Sequence, residues 1–228
     1  MYAAYRFLRW CESEGLLPPI VREGDLPPPP PPQPNPMGVQ ELQRLLTAAS
    51  QGEGWVAKRN HAVVATLLDA GVRRAELLQF KVRDGLAGVA VVKQKGNRFH
   101  RVYLSEATQR AIRAYIRAYT RETGRQLEPD DLLWRGVGGQ PLSGDALRTL
   151  FRKLSQRVGE RVYAHRLRST SITLRLALGA STELVREAVG HADERSLAYY
   201  AKLAETDKAR LLRETSPLNL LTGRKRRE

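Results

Sequence analysis

A chain of 228 residues with 42% hydrophobic content is long enough for one large domain and too apolar for global disorder. Lys and Arg number 38 against 24 Asp and Glu, a formal charge of +14 that selects polyanionic partners: nucleic acid first, an anionic membrane surface second. No apolar run approaches the roughly 18 residues of a spanning helix, no signal peptide stands at Met1, and the single cysteine, Cys11, rules out an internal disulfide and a cysteine-rich zinc site. A reducing cytoplasm is the expected setting, with no membrane partner.

In chain order, "YAAYRFLRWCESEGLLP" reads as one short helix with Tyr5, Leu8 and Trp10 among its apolar residues. Such a helix cannot bury its own face, so residues 1–25 are expected to be the end of a further domain. Ten of the 13 prolines lie between Pro18 and Pro36, and residues 26–36 are assigned to a polyproline II linker. Residues 37–228 then run on without a second linker. "VQELQRLLTAAS" and "AKRNHAVVATLLDAG" predict helices, the second ending at Gly71. "GVAVVKQKGNRFHRVYL" predicts a hairpin around Lys95-Gly96-Asn97-Arg98. "SEATQRAIRAYIRAYTRETG" predicts a helix ending at Gly124, and "SGDALRTLFRKLSQRVG" another, with Ser143 as its N-cap. "LRSTSITLRLALG", "STELVREAVG" and "SLAYYAKLAETDKARLL" complete the helical set. The fold class is α+β, mainly α, with one small antiparallel sheet.

No phosphate-binding glycine loop and no His-Glu-x-x-His pair occur, and His61, His100, His165 and His191 are far apart with no carboxylate cluster joining them, so neither a nucleotide cofactor nor a metal is implied. What remains is a scattered set of cations and tyrosines. Arg73 follows a helix-ending glycine, Lys95 opens a hairpin turn, and His165 and Arg168 stand three apart on one helix face. His191 follows Gly190, and Tyr199 and Tyr200 come soon after. Phosphoryl transfer without a metal needs such groups. Guanidinium forks match the oxygens of a phosphorane, a tyrosine hydroxyl attacks phosphorus, and a lysine protonates the leaving oxygen.

These stretches resemble the tyrosine recombinases, the phage-integrase and Xer-type family. "GVRRAEL" is similar to the family's first arginine box, with Arg73 at the arginine and Glu76 at the supporting acid. "QKGNRFHRVYL" is similar to the Gly-Lys-Gly hairpin, with Lys95 at the lysine. "HRLRST" resembles His-x-Leu-Arg-His-Thr, matching His165 and Arg168, and "VGH" resembles Leu-Gly-His, matching His191. The Xer-type tyrosine stands nine residues beyond that histidine, which gives Tyr200. The resemblance covers residues 37 to about 205. Ser169 and Gln94 depart from it, standing where the family has histidine and glycine.

The resemblance implies a catalytic domain that cleaves and rejoins DNA through a 3′-phosphotyrosyl bond, without metal or ATP. Tyr200 would be the nucleophile, Arg73 and Arg168 the phosphorane clamps, Lys95 the general acid, His165 the proton acceptor and His191 a hydrogen-bond donor. It further implies a core-binding domain, of which residues 1–25 resemble the last helix, and four protomers acting on two copies of a specific double-stranded site. A monomer in free solution and a cytoplasmic, nucleoid-associated location are expected with it. Alternatives stay open at single positions. Tyr200 shares a packing face with Leu197 and Leu203, Lys93 competes with Lys95 from the same strand face, and Arg74 competes with Arg73. Arg74, Lys93, Arg98, Arg110, Arg113 and Arg117 are candidate DNA contacts; the last three, with Arg121, form a stripe at helical spacing. A non-catalytic DNA-binding protein on the same scaffold and a type IB topoisomerase are the competing functions.

Overall fold

The computed structural model describes residues 2–18, 35–94, 96–190 and 201. The chain divides into two compact units, Met1–Gln33 and Pro34–Glu228. In the first, helix α1 (Tyr2–Ser13) carries Phe7 and Trp10 one turn apart, both exposed, with ring centroids 6.0 Å apart.

The second unit is built around two buried helices. Helix α3 (Gly54–Ala70) is apolar on nearly every side and packs against α2 (Val39–Ser50), α6 (Glu106–Thr123) and α8 (Ala164–Ala177). A helix buried all round needs no amphipathic stripe. Helix α6 has one: Thr108, Ile112, Tyr115, Ala118 and Tyr119 face inward, and the arginines face out. Helix α7 (Gly144–Val158) buries Leu147, Leu150, Phe151 and Leu154. The predicted Ser143 cap forms, accepting from the Ala146 amide, and Ser105 and Ser181 cap α6 and α9 in the same way, accepting from the amides of Thr108 and Leu184. Gly124 and Gly159 end α6 and α7 in the left-handed conformation.

Helix α8 is buried through a run of eight residues, Arg166 to Thr173, although half of that run is Ser or Thr. Three of those hydroxyls are satisfied within the helix. Ser169, Thr170 and Thr173 donate to the carbonyls of His165, Arg166 and Ser169. The Thr170 oxygen also accepts the Met37 amide, so the chain entering α2 is fixed to α8.

Two short helices that periodicity does not reveal, α4 (Arg74–Leu77) and α5 (Val82–Ala87), lie between α3 and the hairpin. Each is started by an acid that reaches back to the preceding backbone amide: Glu76 to Arg73 and Asp84 to Lys81. Strands β1 (Val89–Lys93) and β2 (Phe99–Tyr103) pair antiparallel, Val89 with Tyr103 and Lys93 with Phe99. The Gln94 amide closes the turn on the Arg98 carbonyl, with Gly96 and Asn97 at positive φ. Helix α9 (Thr182–Val189) then packs on α8 and β2. The helix expected over 196–212 lies outside the described residues apart from Ala201, which is helical.

Candidate active site

Arg73 owes its place to the way α3 ends. Gly71 takes a left-handed conformation (φ 62°), and a Cβ there would sit 3.0 Å from Val189 and 3.1 Å from the Ser171 hydroxyl. Only glycine combines that φ with that closeness. The chain turns, Arg73 becomes the residue before α4, and the Glu76 carboxylate receives both its amide and its guanidinium, each at 2.8 Å. Glu76 is buried, whereas the Arg73 side chain is half exposed, so one arm of the fork is anchored inside and the head reaches outward.

Arg168 reaches the same region from α8. Its guanidinium is buried and donates to the Gly71 carbonyl at 2.6 Å and the Gly190 carbonyl at 3.5 Å. Those carbonyls close α3 and α9, so Arg168 ties together the ends of the helices that precede Arg73 and His191. His165 is the second residue of α8, after Tyr163 at the N-cap position. Burial first, then the charges of Arg168 and Arg73, hold its imidazole below the ordinary value, so the ring is neutral near pH 7.

Arg73, His165 and Arg168 line one cleft of about 660 Å³. Arg74, Arg148, Arg152 and Arg161 line it too, over a floor that includes Phe151, Val162 and Tyr163. Arg161 also lies over the Tyr163 ring, 5.5 Å from its centroid. Six arginines and His165, with no carboxylate in the lining among the described residues, give the cleft a strongly positive field. No group of three or more His, Cys, Asp or Glu side chains comes together among the described residues. No helix among them is long and apolar enough to cross a membrane.

The other expected residues fall elsewhere. Lys93 ends β1 on the exposed face, and its backbone is held by the Gln79 side chain, which both donates to its carbonyl and accepts from its amide. Arg98 is exposed in the turn. Arg110, Arg113 and Arg117 lie on the outer side of α6 and do not line the cleft; Arg110 pairs with Glu106, and Arg113 donates to Gln109. Lys95, His191, Tyr199 and Tyr200 lie outside the described residues. Three cleft arginines escaped the reading of the sequence. Arg148 and Arg152 stand four apart on α7 and flank the buried Phe151, a signal available from helical spacing alone. Arg161 sits in a loop and gave no such signal.

The second unit is thus mainly helical, with a two-strand hairpin and a cleft lined by arginines and His165 among the described residues. The chain belongs to the phage integrase family, whose model matches residues 37–207. It is 27% identical over 221 residues to the tyrosine recombinase XerC of Nitrobacter winogradskyi, a match covering 90% of this chain and 65% of that protein. The chain thus spans just under two thirds of that relative's length. Among solved structures, the XerA recombinase aligns with a TM-score of 0.66 at 23% identity, over 82% of this chain and 67% of that one. The XerH site-specific recombinase, in a post-cleavage complex with a palindromic difH substrate, aligns with a TM-score of 0.62 at 26% identity, over 82% of this chain and 54% of that one.

Proposed function

We propose that this chain is a site-specific DNA recombinase that cuts and reseals strands through a covalent 3′-phosphotyrosyl intermediate. The observation that carries the reading is the convergence of Arg73 and Arg168 on one cleft with His165 held neutral between their charges. A phosphorane carries two negative charges, and two guanidinium groups offset them from opposite sides. A neutral imidazole accepts a proton, which a protonated one cannot, and a tyrosine hydroxyl with a free pKa near 10 needs an acceptor.

In this reading the Tyr200 oxygen attacks phosphorus and its proton passes to His165. The bond from phosphorus to the 5′ oxygen breaks, and Lys95 supplies the proton that oxygen takes up. His191 hydrogen-bonds a non-bridging oxygen. The ester linkage keeps the bond energy, so the 5′ hydroxyl of a partner strand reseals it without ATP, and no step is routed through a metal. The partner is double-stranded DNA bearing a specific site, with four protomers assembling on two duplexes and a monomer in free solution. Arg74, Arg148, Arg152 and Arg161 would take neighbouring phosphates, and Lys93, Arg98, Arg110, Arg113 and Arg117 more distant ones. Residues 1–25 would be the end of a core-binding domain joined by the proline-rich linker, and the working location the nucleoid in the cytoplasm.

The test is covalent trapping on a nicked duplex. Wild-type chain should yield a protein–DNA adduct anchored at Tyr200, and Tyr200→Phe should form none while binding DNA almost as tightly. Peptide mass spectrometry locates the anchor. An adduct on Tyr199, or one surviving in Tyr200→Phe, rejects the assignment. DNA binding with no adduct under any condition favours the non-catalytic alternative.

A further inference from the structure

His100 stands where its strand buries apolar side chains. The inward positions of the hairpin are Ala90, Val92, Val102 and His100, with Ala90 opposite Val102 and Val92 opposite His100. A half-buried imidazole there needs partners, and it has one on each nitrogen. Its Nε2 lies 3.2 Å from the Ala188 carbonyl in the last turn of α9, and its Nδ1 lies 3.2 Å from the Gln94 amide nitrogen. That amide nitrogen also donates to Glu76 Oε1 at 3.3 Å, the oxygen that holds the Arg73 guanidinium.

Donor counting fixes the orientation. The Gln94 amide has two hydrogens, one for the Glu76 carboxylate and one for His100 Nδ1. A flipped amide would set its oxygen against a carboxylate. His100 therefore accepts at Nδ1, carries its proton on Nε2 and gives it to Ala188. Gly190 accommodates the link: a Cβ at that position would collide with the Gln94 amide. One unbroken chain thus runs from Arg73 through Glu76, Gln94 and His100 to the end of α9. Gln94 is the residue before Lys95, and Ala188 lies three residues before His191.

We propose that Gln94 and His100 are positioning residues that hold the hairpin carrying Lys95 in register with the Arg73–Glu76 pair and with the end of α9. The role given to Lys95 rests on the recombinase reading above; the hydrogen-bonded link does not. Gln94→Met keeps the length of the side chain and removes both donors, and His100→Leu fills the same inward space. On a nicked duplex built from the sequence this chain selects out of a randomised pool, either change should slow adduct formation about 10-fold, the size expected for losing a hydrogen bond to a charged network. Affinity for that duplex should be unchanged. The loss should be recovered on the same duplex with a 5′-bridging phosphorothiolate, whose sulfur leaves without a proton and so makes Lys95 dispensable. A merely destabilised fold would be slow on both. Equal losses on both duplexes, or no loss on either, overturn the proposal.

A second measurement needs no DNA. Imidazole nitrogen NMR of the full chain should report the Nε2–H tautomer for His100, with the Nδ1 resonance shifting in Gln94→Met as its donor is removed while Nε2–H stays on the Ala188 carbonyl. An Nδ1–H tautomer in the wild-type chain overturns the link directly. If the wild-type chain forms no adduct on either duplex, the recombinase reading fails, and the tautomer alone decides whether the link exists.

Discussion

At the scale of single residues the cleft works by setting charges against one another. His165 titrates below its ordinary value of about 6.5 because it is buried and faces Arg168 and Arg73. The sign follows from that direction. A depressed folded value means the fold favours the neutral ring, so this contribution to stability is present above the ordinary value and is lost as pH falls through it toward the folded one. The acid limb of adduct formation should accordingly lie below the ordinary imidazole range. Arg73→Ala removes one of the two charges and should raise the His165 value toward ordinary, read by NMR titration of the ring. Binding a phosphate should raise it in the same direction. A value that stays put in Arg73→Ala means that the guanidinium does not act on the ring.

At the scale of elements, two arginine-bearing helices separate by where they face. Arg148 and Arg152 on α7 look into the cleft, whereas Arg110, Arg113 and Arg117 on α6 do not line it. Each phosphate neutralised contributes about −0.9 to the slope of log K against log salt. Replacing Arg148 and Arg152 by alanine should flatten the slope by roughly 1.8 if each takes one phosphate. The α6 triple variant should flatten it less, since those arginines do not line the cleft. Filter binding over a salt series on one duplex ranks the two sets. A larger change for the α6 set would relocate the main DNA path to that face.

At the scale of the whole molecule, Arg166 is the buried joint behind the site. It pairs with Glu41 of α2 and Glu160 of the loop before α8, and donates to the carbonyls of Asn35 and Arg161. Arg166→Ala removes the donor to two carbonyls and one of the partners of each acid, Glu41 keeping the Gly38 amide and Glu160 keeping Arg44, a loss of about 2 kcal/mol. A chemical denaturation curve should shift by that amount without a change of slope. With a whole-chain charge of +14, the proposed DNA binding should fall steeply with salt, and the positive cleft should repel divalent cations, so adduct formation should persist in EDTA. A strict magnesium requirement for the chemical step would count against the mechanism.

Local signals sufficed where local forces decide. Apolar spacing gave α2, α3, α6, α7 and α9, and the Ser143 cap with the helix-ending glycines Gly71, Gly124 and Gly190 gave several of their boundaries, because capping is settled within one turn. The Gly-Asn turn gave the hairpin for the same reason. Helices α4 and α5 escaped because four and six residues carry too little periodicity, and each is started by an acid three residues along. Motif order singled out Arg73, His165 and Arg168, but their meeting in one cleft depends on α3 and α8 packing together, over a separation of nearly a hundred residues. Gln94 looked like a plain departure from a glycine, and His100 carried no motif at all. Their roles depend on Glu76, Ala188 and Gly190, which only packing brings within hydrogen-bond reach. The sequence by itself determined the longer helices and the hairpin, since those rest on near neighbours. Tertiary structure alone decided that the His165 imidazole is held below its ordinary value, that α7 shares the cleft and that α6 does not, since burial and charge fields depend on groups distant in the chain.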